Sequence, residues 1–138
     1  MIVLDTNVIS ELMRAKPETR VLAWLDHQPA PSIWTSAVSI YELRSGMLSM
    51  PAGRKSAALT AFFEEWFEAV LDGRVLAFDL SAAERAAELE AASLKSGRSR
   101  DRRDTMIAGI VLASHATLAT RNVKHFEDIA KSVVNPWA

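Results

Sequence analysis

The chain contains no cysteine, which excludes disulfide bonds and thiolate metal sites. It also lacks an excess of charge, since 16 lysines and arginines face 17 aspartates and glutamates. A nucleic-acid site would therefore have to be a local patch. The longest uncharged run, Thr105–Thr120, is too short to span a membrane and contains Gly109 and His115. We therefore expect no membrane partner. Because charge already appears at Asp5 we expect no signal peptide, and the lack of cysteine is compatible with the cytoplasmic location that we expect.

What the chain does have is a regular alternation of strand-like and helix-like segments. Its 138 residues, 49% of them hydrophobic, are enough for one core, and we expect a single domain over residues 1–138. The alternation predicts an α/β fold: a three-layer α/β/α sandwich around a central parallel sheet. The predicted strands are Met1–Leu4, Ser32–Thr35, Arg74–Phe78, Thr117–Thr120 and Val133–Val134. The main predicted helices are Glu18–His27, 36–50, Lys55–Leu71, 81–96 and Thr105–Ser114.

Two of these helices have recognisable start signals. The segment Ser81-Ala82-Ala83-Glu84 has the pattern of a capping box, which predicts that Ser81 caps the alanine-rich helix that Gly97 closes. Asp104 precedes the apolar helix that begins at Thr105, and we expect it to open that helix.

An acid stands at the end of the first predicted strand. Met1–Leu4 is apolar without alternation, which is typical of a strand buried on both faces. Asp5 follows it, at the edge of the sheet where ligands bind in open α/β folds. Thr6 and Asn7 then supply short side chains that can hydrogen-bond a carboxylate. The alternative interpretation is that Asp5 only caps a helix.

Further polar residues are predicted at the same edge. Asp104 and Asn122 fall at a helix start and after a strand, and Glu42 follows the second strand by about two helical turns, unless it is simply an exposed glutamate. Clustered carboxylates raise one another's pKa values, so a cluster kept ionised near neutral pH usually needs a cation. Oxygen ligands without histidine or cysteine spacing favour Mg²⁺ or Mn²⁺. Such a cation in an open cleft indicates hydrolysis of a phosphodiester.

One predicted helix carries a stripe of large aromatic side chains. The stripe either packs on the core of this domain or forms an interface with another subunit or a partner, and the sequence leaves both open. Its aromatic members are Phe62, Phe63, Trp66 and Phe67.

A cluster of arginines precedes Asp104. It is either a solvated loop or the local phosphate-binding patch of a nucleic-acid site, and its members are Arg98, Arg100, Arg102 and Arg103. Arg121 is placed to hold a scissile phosphate or is an ordinary surface arginine. His125 is expected to pack with Phe126 rather than to act in catalysis.

Several short blocks of sequence occur in an order that resembles the PIN-domain nucleases. They are Leu4–Asn7, Tyr41–Leu43, Asp104–Ala108, Leu118–Asn122 and His125–Phe126. Within that family the chain is similar to VapC-type toxins, and especially to the FitB-like branch, whose members also tend to end in the manner of Asn135-Pro136-Trp137. The resemblance covers nearly the whole chain.

The resemblance implies a PIN-like fold and a Mg²⁺- or Mn²⁺-dependent ribonuclease, the toxin of a type II toxin–antitoxin pair that cuts RNA. It implies that Asp5, Glu42 and Asp104 bind the metal and activate water, with Thr6, Asn7 and Thr120 in support. It also implies a homodimer and a cognate VapB- or FitA-like antitoxin that blocks the cleft. Asn122 stands where many relatives carry aspartate, so we expect one well-held ion.

Two other protein classes share parts of this pattern. A phosphatase of the haloacid dehalogenase type would carry Asp-x-Asp after the first strand, where this chain has Asn7 as the second member. A receiver-type signalling module, which is not an enzyme, would use an aspartate at the end of the third strand. Asp79 occupies that position in this chain. It would also need paired acids after the first strand and a lysine after the last, and this chain has neither.

Overall fold

The first apolar residues of the chain form the middle strand of the sheet. The computed structural model describes all residues from Met1 to Ala138. Its five strands, all parallel, are β1 (Ile2–Leu4), β2 (Ile33–Ser36), β3 (Val75–Leu76), β4 (Thr117–Ala119) and β5 (Val133–Val134), in the spatial order β3-β2-β1-β4-β5. Leu4 pairs with Thr35 on one side and with Ala119 on the other. The residues that follow β1 and β4 therefore lie side by side at one edge.

Helices cover both faces of the sheet, which confirms the predicted three-layer α/β/α fold. They are α1 (Thr6–Leu12), α2 (Thr19–Asp26), α3 (Ala37–Leu48), α4 (Arg54–Trp66), α5 (Leu80–Lys95) and α6 (Arg102–Ala113). Adjacent residues of β1 point to opposite faces, so Leu4 joins a core with α1 and α4 while Val3 joins a second core with α6. No helix is both long and apolar enough to cross a membrane.

Two helices begin earlier than the sequence signals predicted. Asp79, rather than Ser81, caps α5, and its Oδ1 accepts a hydrogen bond from the amide of Ala82 at 3.0 Å. Asp101, rather than Asp104, caps α6, and its Oδ1 accepts from the amide of Asp104 at 3.1 Å. Both predicted starts were wrong because an aspartate further upstream is an equally good cap. The correction leaves the Asp104 carboxylate free of a capping role.

The third strand and the aromatic helix are shorter than predicted. Only Val75–Leu76 pairs with β2, where Arg74–Phe78 was expected. The α-helical part of the segment Lys55–Leu71 ends at Trp66, and Phe67–Leu71 continues as a π-helical turn. These differences lie at the edge of the sheet remote from β4 and leave the strand ends at Asp5 and Thr120 unaffected.

The aromatic stripe belongs largely to the core. Phe63 is fully buried and Trp66 is buried, Phe67 packs partly buried against the same core, and only Phe62 is exposed, at 42%. Assigning Phe63 and Trp66 to an interface is therefore corrected, because rings that already fill the core of one chain cannot also face a partner. An interface role remains a prediction for Phe62 and for the partly buried Phe67.

Helices α5 and α6 approach closely at a glycine. A methyl group on Gly109 would lie 2.8 Å from the Cβ of Ala86, which is closer than real side chains come. The small residues on both helices thus allow the close packing, and that packing fixes the position of α6 over the sheet. Asp104, in the first turn of α6, is positioned by this contact.

Candidate active site

Asp5 both caps α1 and faces a cleft at the edge of the sheet. Its Oδ1 accepts a hydrogen bond from the amide of Thr6 at 2.8 Å, so the capping interpretation is correct as far as it goes. Its Oδ2 accepts from the hydroxyl of Thr120 at 2.7 Å and from the amide nitrogen of Asn7 at 3.2 Å. A buried carboxylate held by donors from two strand ends is more than a cap requires.

Asn7 and Thr120 fasten the two strand ends together around Asp5. Asn7 Nδ2 donates to Thr120 Oγ1 at 3.1 Å, and Asn7 Oδ1 accepts from the amide of Arg121 at 3.2 Å. Thr120 Oγ1 also accepts from the amide of Asn122 at 3.0 Å. This network fixes the orientation of the Asp5 carboxylate and brings Arg121 and Asn122 to the rim of the cleft.

Glu42 reaches the cleft from α3. The hydroxyl of Thr6 donates to its Oε1 at 3.1 Å, and Arg103 Nη1 lies 3.8 Å from its Oε2. The side chain is half-buried, so the alternative of a fully exposed glutamate does not apply. Thr6 thus touches two of the acids, Asp5 through its amide and Glu42 through its hydroxyl.

Asp104 reaches the same cleft from the first turn of α6. Its Oδ2 lies 3.1 Å from Nδ1 of His125, a hydrogen bond that the sequence did not predict. His125 was expected to pack with Phe126, but Phe126 is fully buried while the imidazole is more than half exposed. The spacing of His125 from the other histidines does not resemble a metal site, and no sequence pattern places it near Asp104. Only the three-dimensional fold reveals this contact.

The cleft is a polar cavity of about 470 Å³. Of the predicted site residues, it brings together Asp5, Thr6, Asn7, Glu42, Asp104, Arg121 and Asn122, and Thr120 lies directly behind Asp5. It also includes four residues that the sequence did not single out as lining it: Ser10, Glu11, Arg14 and Trp137. Trp137 follows β5, so it reaches this edge for the same topological reason as Asp5 and Thr120.

Burial raises the pKa values of all three acids, and repulsion from neighbouring carboxylates adds to the rise for Glu42 and Asp104. For Asp5 the largest cause is burial, which outweighs the hydrogen bonds from Thr120, Thr6 and Asn7. Burial also raises the pKa of Glu42, and the charges of Asp5 and Asp104 add to that rise. The pKa of Asp104 is raised by burial first and then by Asp101 and Asp5. Folding therefore disfavours the ionised forms of these acids, and a bound cation would favour them.

The raised pKa values predict that the metal-free protein becomes more stable as pH falls through the folded pKa values of these acids toward their ordinary values of 3.8 and 4.5. Folded chains bind these protons more tightly than unfolded chains, whose ordinary pKa values are 3.8 and 4.5. The free energy of unfolding thus falls as pH rises through the folded pKa values. Above those values the folded chain carries the full free-energy cost of keeping the acids ionised. Thermal melts in EDTA should show this slope in the wild type and a shallower slope in Asp104→Asn; equal slopes would contradict the coupling.

The acids have suitable chemistry for a hard cation, although they do not form a closed ligand set. No group of three or more Asp, Glu or His side chains is arranged to hold one ion as the side chains stand. Divalent ions of the Mg²⁺ type need only one or two carboxylates and complete their coordination with water and substrate oxygens. The oxygen-only donors Asp5, Glu42 and Asp104 around one polar cavity fit that requirement.

The arginine cluster does not form one free patch. Arg98 pairs with Glu127 at 3.1 Å, and Arg100 pairs with Asp128, so these two arginines tie the loop before α6 to the 3₁₀ segment Val123–Ser132. The prediction of a common phosphate-binding patch is corrected on this point, because two of its four members are already neutralised. Arg103 is the member that reaches Glu42 at the cleft, and Arg102 is exposed at the start of α6.

The fold and the cleft define the class of protein: a parallel α/β domain with acids gathered at the carboxyl edge of its sheet. The PIN-domain family profile matches residues 2–132. VapC ribonuclease Y4jK of Sinorhizobium fredii is 42% identical over 137 residues, 99% of this chain and 98% of that protein. Toxin FitB of Neisseria gonorrhoeae is 35% identical, with 99% of each chain covered. The crystal structure of FitAcB from Neisseria gonorrhoeae matches with a TM-score of 0.90 at 35% identity, over 99% of each chain.

The chain belongs to the PIN-domain family. This confirms the resemblance that the short sequence blocks indicated, over the same near-complete length. The matched relatives carry the names of a ribonuclease and a toxin. Neither a haloacid-dehalogenase-type phosphatase nor a receiver module is favoured by these matches.

Proposed function

We propose that the chain is a metal-dependent endoribonuclease that acts as the toxin of a type II toxin–antitoxin pair. The observation that carries this proposal is the gathering of Asp5, Glu42 and Asp104 around one polar cavity, with Asp5 held from two strand ends. Membership of the PIN-domain family and the ribonuclease and toxin names of close relatives support the same conclusion. The reaction is hydrolysis of an RNA phosphodiester bond.

Asp5, Glu42 and Asp104 would hold Mg²⁺ or Mn²⁺ in this cleft. When bound, the ion supplies a water of lowered pKa and neutralises charge on the reacting phosphate. Thr6, Asn7 and Thr120 keep the Asp5 and Glu42 carboxylates oriented, which avoids reorganisation during the reaction.

Two residues at the rim would contact the substrate phosphate. Arg121 has its backbone anchored to Asn7 and its guanidinium at the cleft, where it can donate to phosphate oxygens. Asn122 contributes a neutral amide where an acid would repel the phosphate and attract a further ion, so we propose one well-held ion.

The partners we propose are an antitoxin of the VapB or FitA type, RNA and a second copy of the chain. A ribonuclease toxin must be kept inactive by a cognate protein, and a cleft rich in carboxylates offers that protein a site for arginine or lysine side chains. Phe62 is the most exposed member of the aromatic stripe and so the most available for such contacts.

The direct test of the activity is cleavage of single-stranded RNA by the purified chain. We expect cutting with millimolar Mg²⁺ or Mn²⁺ and none in EDTA. Antitoxin added at equal concentration should suppress it. Undiminished cutting in EDTA would remove the metal from the proposal.

The ion itself is tested by thermal stability, independently of activity. Mg²⁺ binds the folded cleft and not the dispersed acids of the unfolded chain, so at tenfold over its Kd it should stabilise by about 1.4 kcal/mol, or roughly 3–6 °C in Tm. Asp104→Asn should lose most of this shift, and without metal it should melt a few degrees above metal-free wild type, since one charge of the repelling set is gone.

Asp101→Asn is the matched control for this experiment. It removes a charge of the same sign three residues away, and asparagine caps helix α6 as well as aspartate does. Asp101 does not line the cleft, so its variant should keep the Mg²⁺ shift. An intact shift in Asp104→Asn would remove Asp104 from the metal site.

A further inference from the structure

Tyr41 presents an exposed aromatic ring beside the candidate active site. It is the only tyrosine of the chain, it is 60% exposed, and it directly precedes Glu42 on α3. The guanidinium carbon of Arg103 lies 5.3 Å from the centroid of its ring. Arg103 Nη1 in turn lies 3.8 Å from Glu42 Oε2. One arginine therefore links the exposed ring to an acid of the cleft.

The other two arginine–aromatic pairs of the chain differ in what covers the ring. Arg44 lies 4.8 Å from the ring of Phe63, but that ring is completely buried in the core. Arg121 lies 5.2 Å from the ring of Trp137, which is partly buried against the same core. Only at Tyr41 is most of the ring in solvent. Most of the Tyr41 ring is therefore accessible to a planar ligand such as a nucleobase.

We propose that Tyr41 is a substrate-binding residue that stacks an unpaired nucleobase of the RNA next to the scissile phosphate. The inference rests on the proposed ribonuclease function and names how that substrate is held. Arg103, between the ring and Glu42, contributes a positive charge to the adjacent phosphate and a planar group on which a base also stacks.

The position of the ring on α3 fits a flanking nucleotide rather than the reacting one. Consecutive residues of an α-helix project about 100° apart, so Tyr41 stands to the side of the cleft that Glu42 lines. Tyr41 is accordingly not among the residues that enclose the cavity. A base reaches such a ring only when it is unstacked from its neighbours, which a duplex does not permit. The cleft therefore selects single-stranded segments and loops.

The test measures RNA affinity in the Asp5→Asn background, which is expected not to cut. The probes are oligouridylate and oligoadenylate of about 12 nucleotides, the length that covers a typical single-stranded site, and a duplex of the two. Tyr41→Ala should raise the Kd for the single strands by roughly 5- to 150-fold, the range that loss of one base–aromatic stack produces. Tyr41→Phe should keep the affinity because it keeps the ring.

Leu48→Ala is the matched control. Leu48 is 84% exposed on the same helix, seven residues or two turns from Tyr41 and hence on the same side, but farther from the cleft. Its variant should bind RNA like the parent. A second readout places 2-aminopurine in the oligonucleotide: stacking should quench its fluorescence with Tyr41 or Phe present and not with Ala.

The outcomes separate this inference from the proposed function. If wild type cuts RNA but Tyr41→Ala binds it with unchanged Kd, the stacking role is overturned and the nuclease stands. If Tyr41→Ala instead weakens self-association, the ring is a contact between protein chains and the inference is also overturned. If the parent binds none of the probes, the stacking role is overturned, and the nuclease falls as well only if the wild type cuts no RNA. A quench that depends on the aromatic ring, together with the loss of affinity in Tyr41→Ala, supports the proposal.

Discussion

Asp5→Asn is expected to reduce RNA cleavage by at least about 10³-fold while the chain stays folded. Asp5 is the most buried of the three proposed metal-binding acids and the one whose two oxygens are held by Thr6, Asn7 and Thr120. Asparagine keeps the size of the side chain and the acceptor for the Thr6 amide, but it removes the charge that would bind the cation. The loss should therefore appear in kcat and in metal affinity rather than in the folded structure.

The measurement is single-turnover cleavage of one RNA across a Mg²⁺ titration, with circular dichroism as the check on folding. Asp26→Asn serves as the control, because it removes an equal charge from the exposed end of α2, away from the cleft. Its activity should match the wild type. Activity within tenfold of wild type in Asp5→Asn would show that Asp5 is a cap and no more.

Phe63→Ala is expected to lose about 3–5 kcal/mol of stability, whereas Phe62→Ala should lose less than about 1 kcal/mol. The two neighbours on α4 have the same side chain, and they differ because Phe63 is fully buried while Phe62 is 42% exposed. Removing the Phe63 ring leaves a cavity in the core that also holds Leu4, directly before Asp5. The difference in stability between the two variants therefore measures the effect of burying the phenylalanine ring.

Urea unfolding followed by circular dichroism measures both losses. Sedimentation of the folded Phe62→Ala variant then shows whether this ring contacts a second subunit. Equal, small losses for the two variants would mean that Phe63 does not fill the core. A loss of several kcal/mol in Phe62→Ala would mean that a partner chain buries its ring.

The sequence predicted the middle of the fold better than its borders. Strand β1 was predictable because Met1–Leu4 is uniformly apolar and ends at a polar residue, as strands buried on both faces commonly do. The starts of α5 and α6 were not, since Asp79 and Ser81 cap a helix equally well, as do Asp101 and Asp104. Local signals of equal strength leave the choice to tertiary packing, which the sequence does not display.

The acids of the site were predictable from topology, and their neighbours were not. Parallel strands bring their carboxyl ends to one edge, which is enough to place Asp5 beside Thr120. The contact between His125 and Asp104 depends on how the 3₁₀ segment after β4 folds back, and no periodicity encodes that path. The position of Trp137 at the cleft could have been predicted, because this residue follows the edge strand β5.

The surroundings of the clustered arginines could not be predicted from the sequence either. Their clustering in sequence suggested one phosphate-binding patch, but Arg98 and Arg100 find acids of the 3₁₀ segment while Arg103 finds Glu42 and Tyr41. Long side chains that are close in sequence can point in different directions, so composition alone does not tell which of them faces a ligand.

End-group analysis of the cleavage products tests whether this cleft hydrolyses RNA with metal-activated water. RNA is cut by the purified chain with Mg²⁺ in water enriched in oxygen-18, and the new ends are analysed by mass spectrometry. Attack by water places one heavy oxygen in the new terminal phosphate and leaves no cyclic phosphate. We expect that result in the wild type and no product in EDTA. A 2′,3′-cyclic phosphate without heavy oxygen would mean that the ribose hydroxyl attacks instead of water, and the proposed hydrolysis would be wrong.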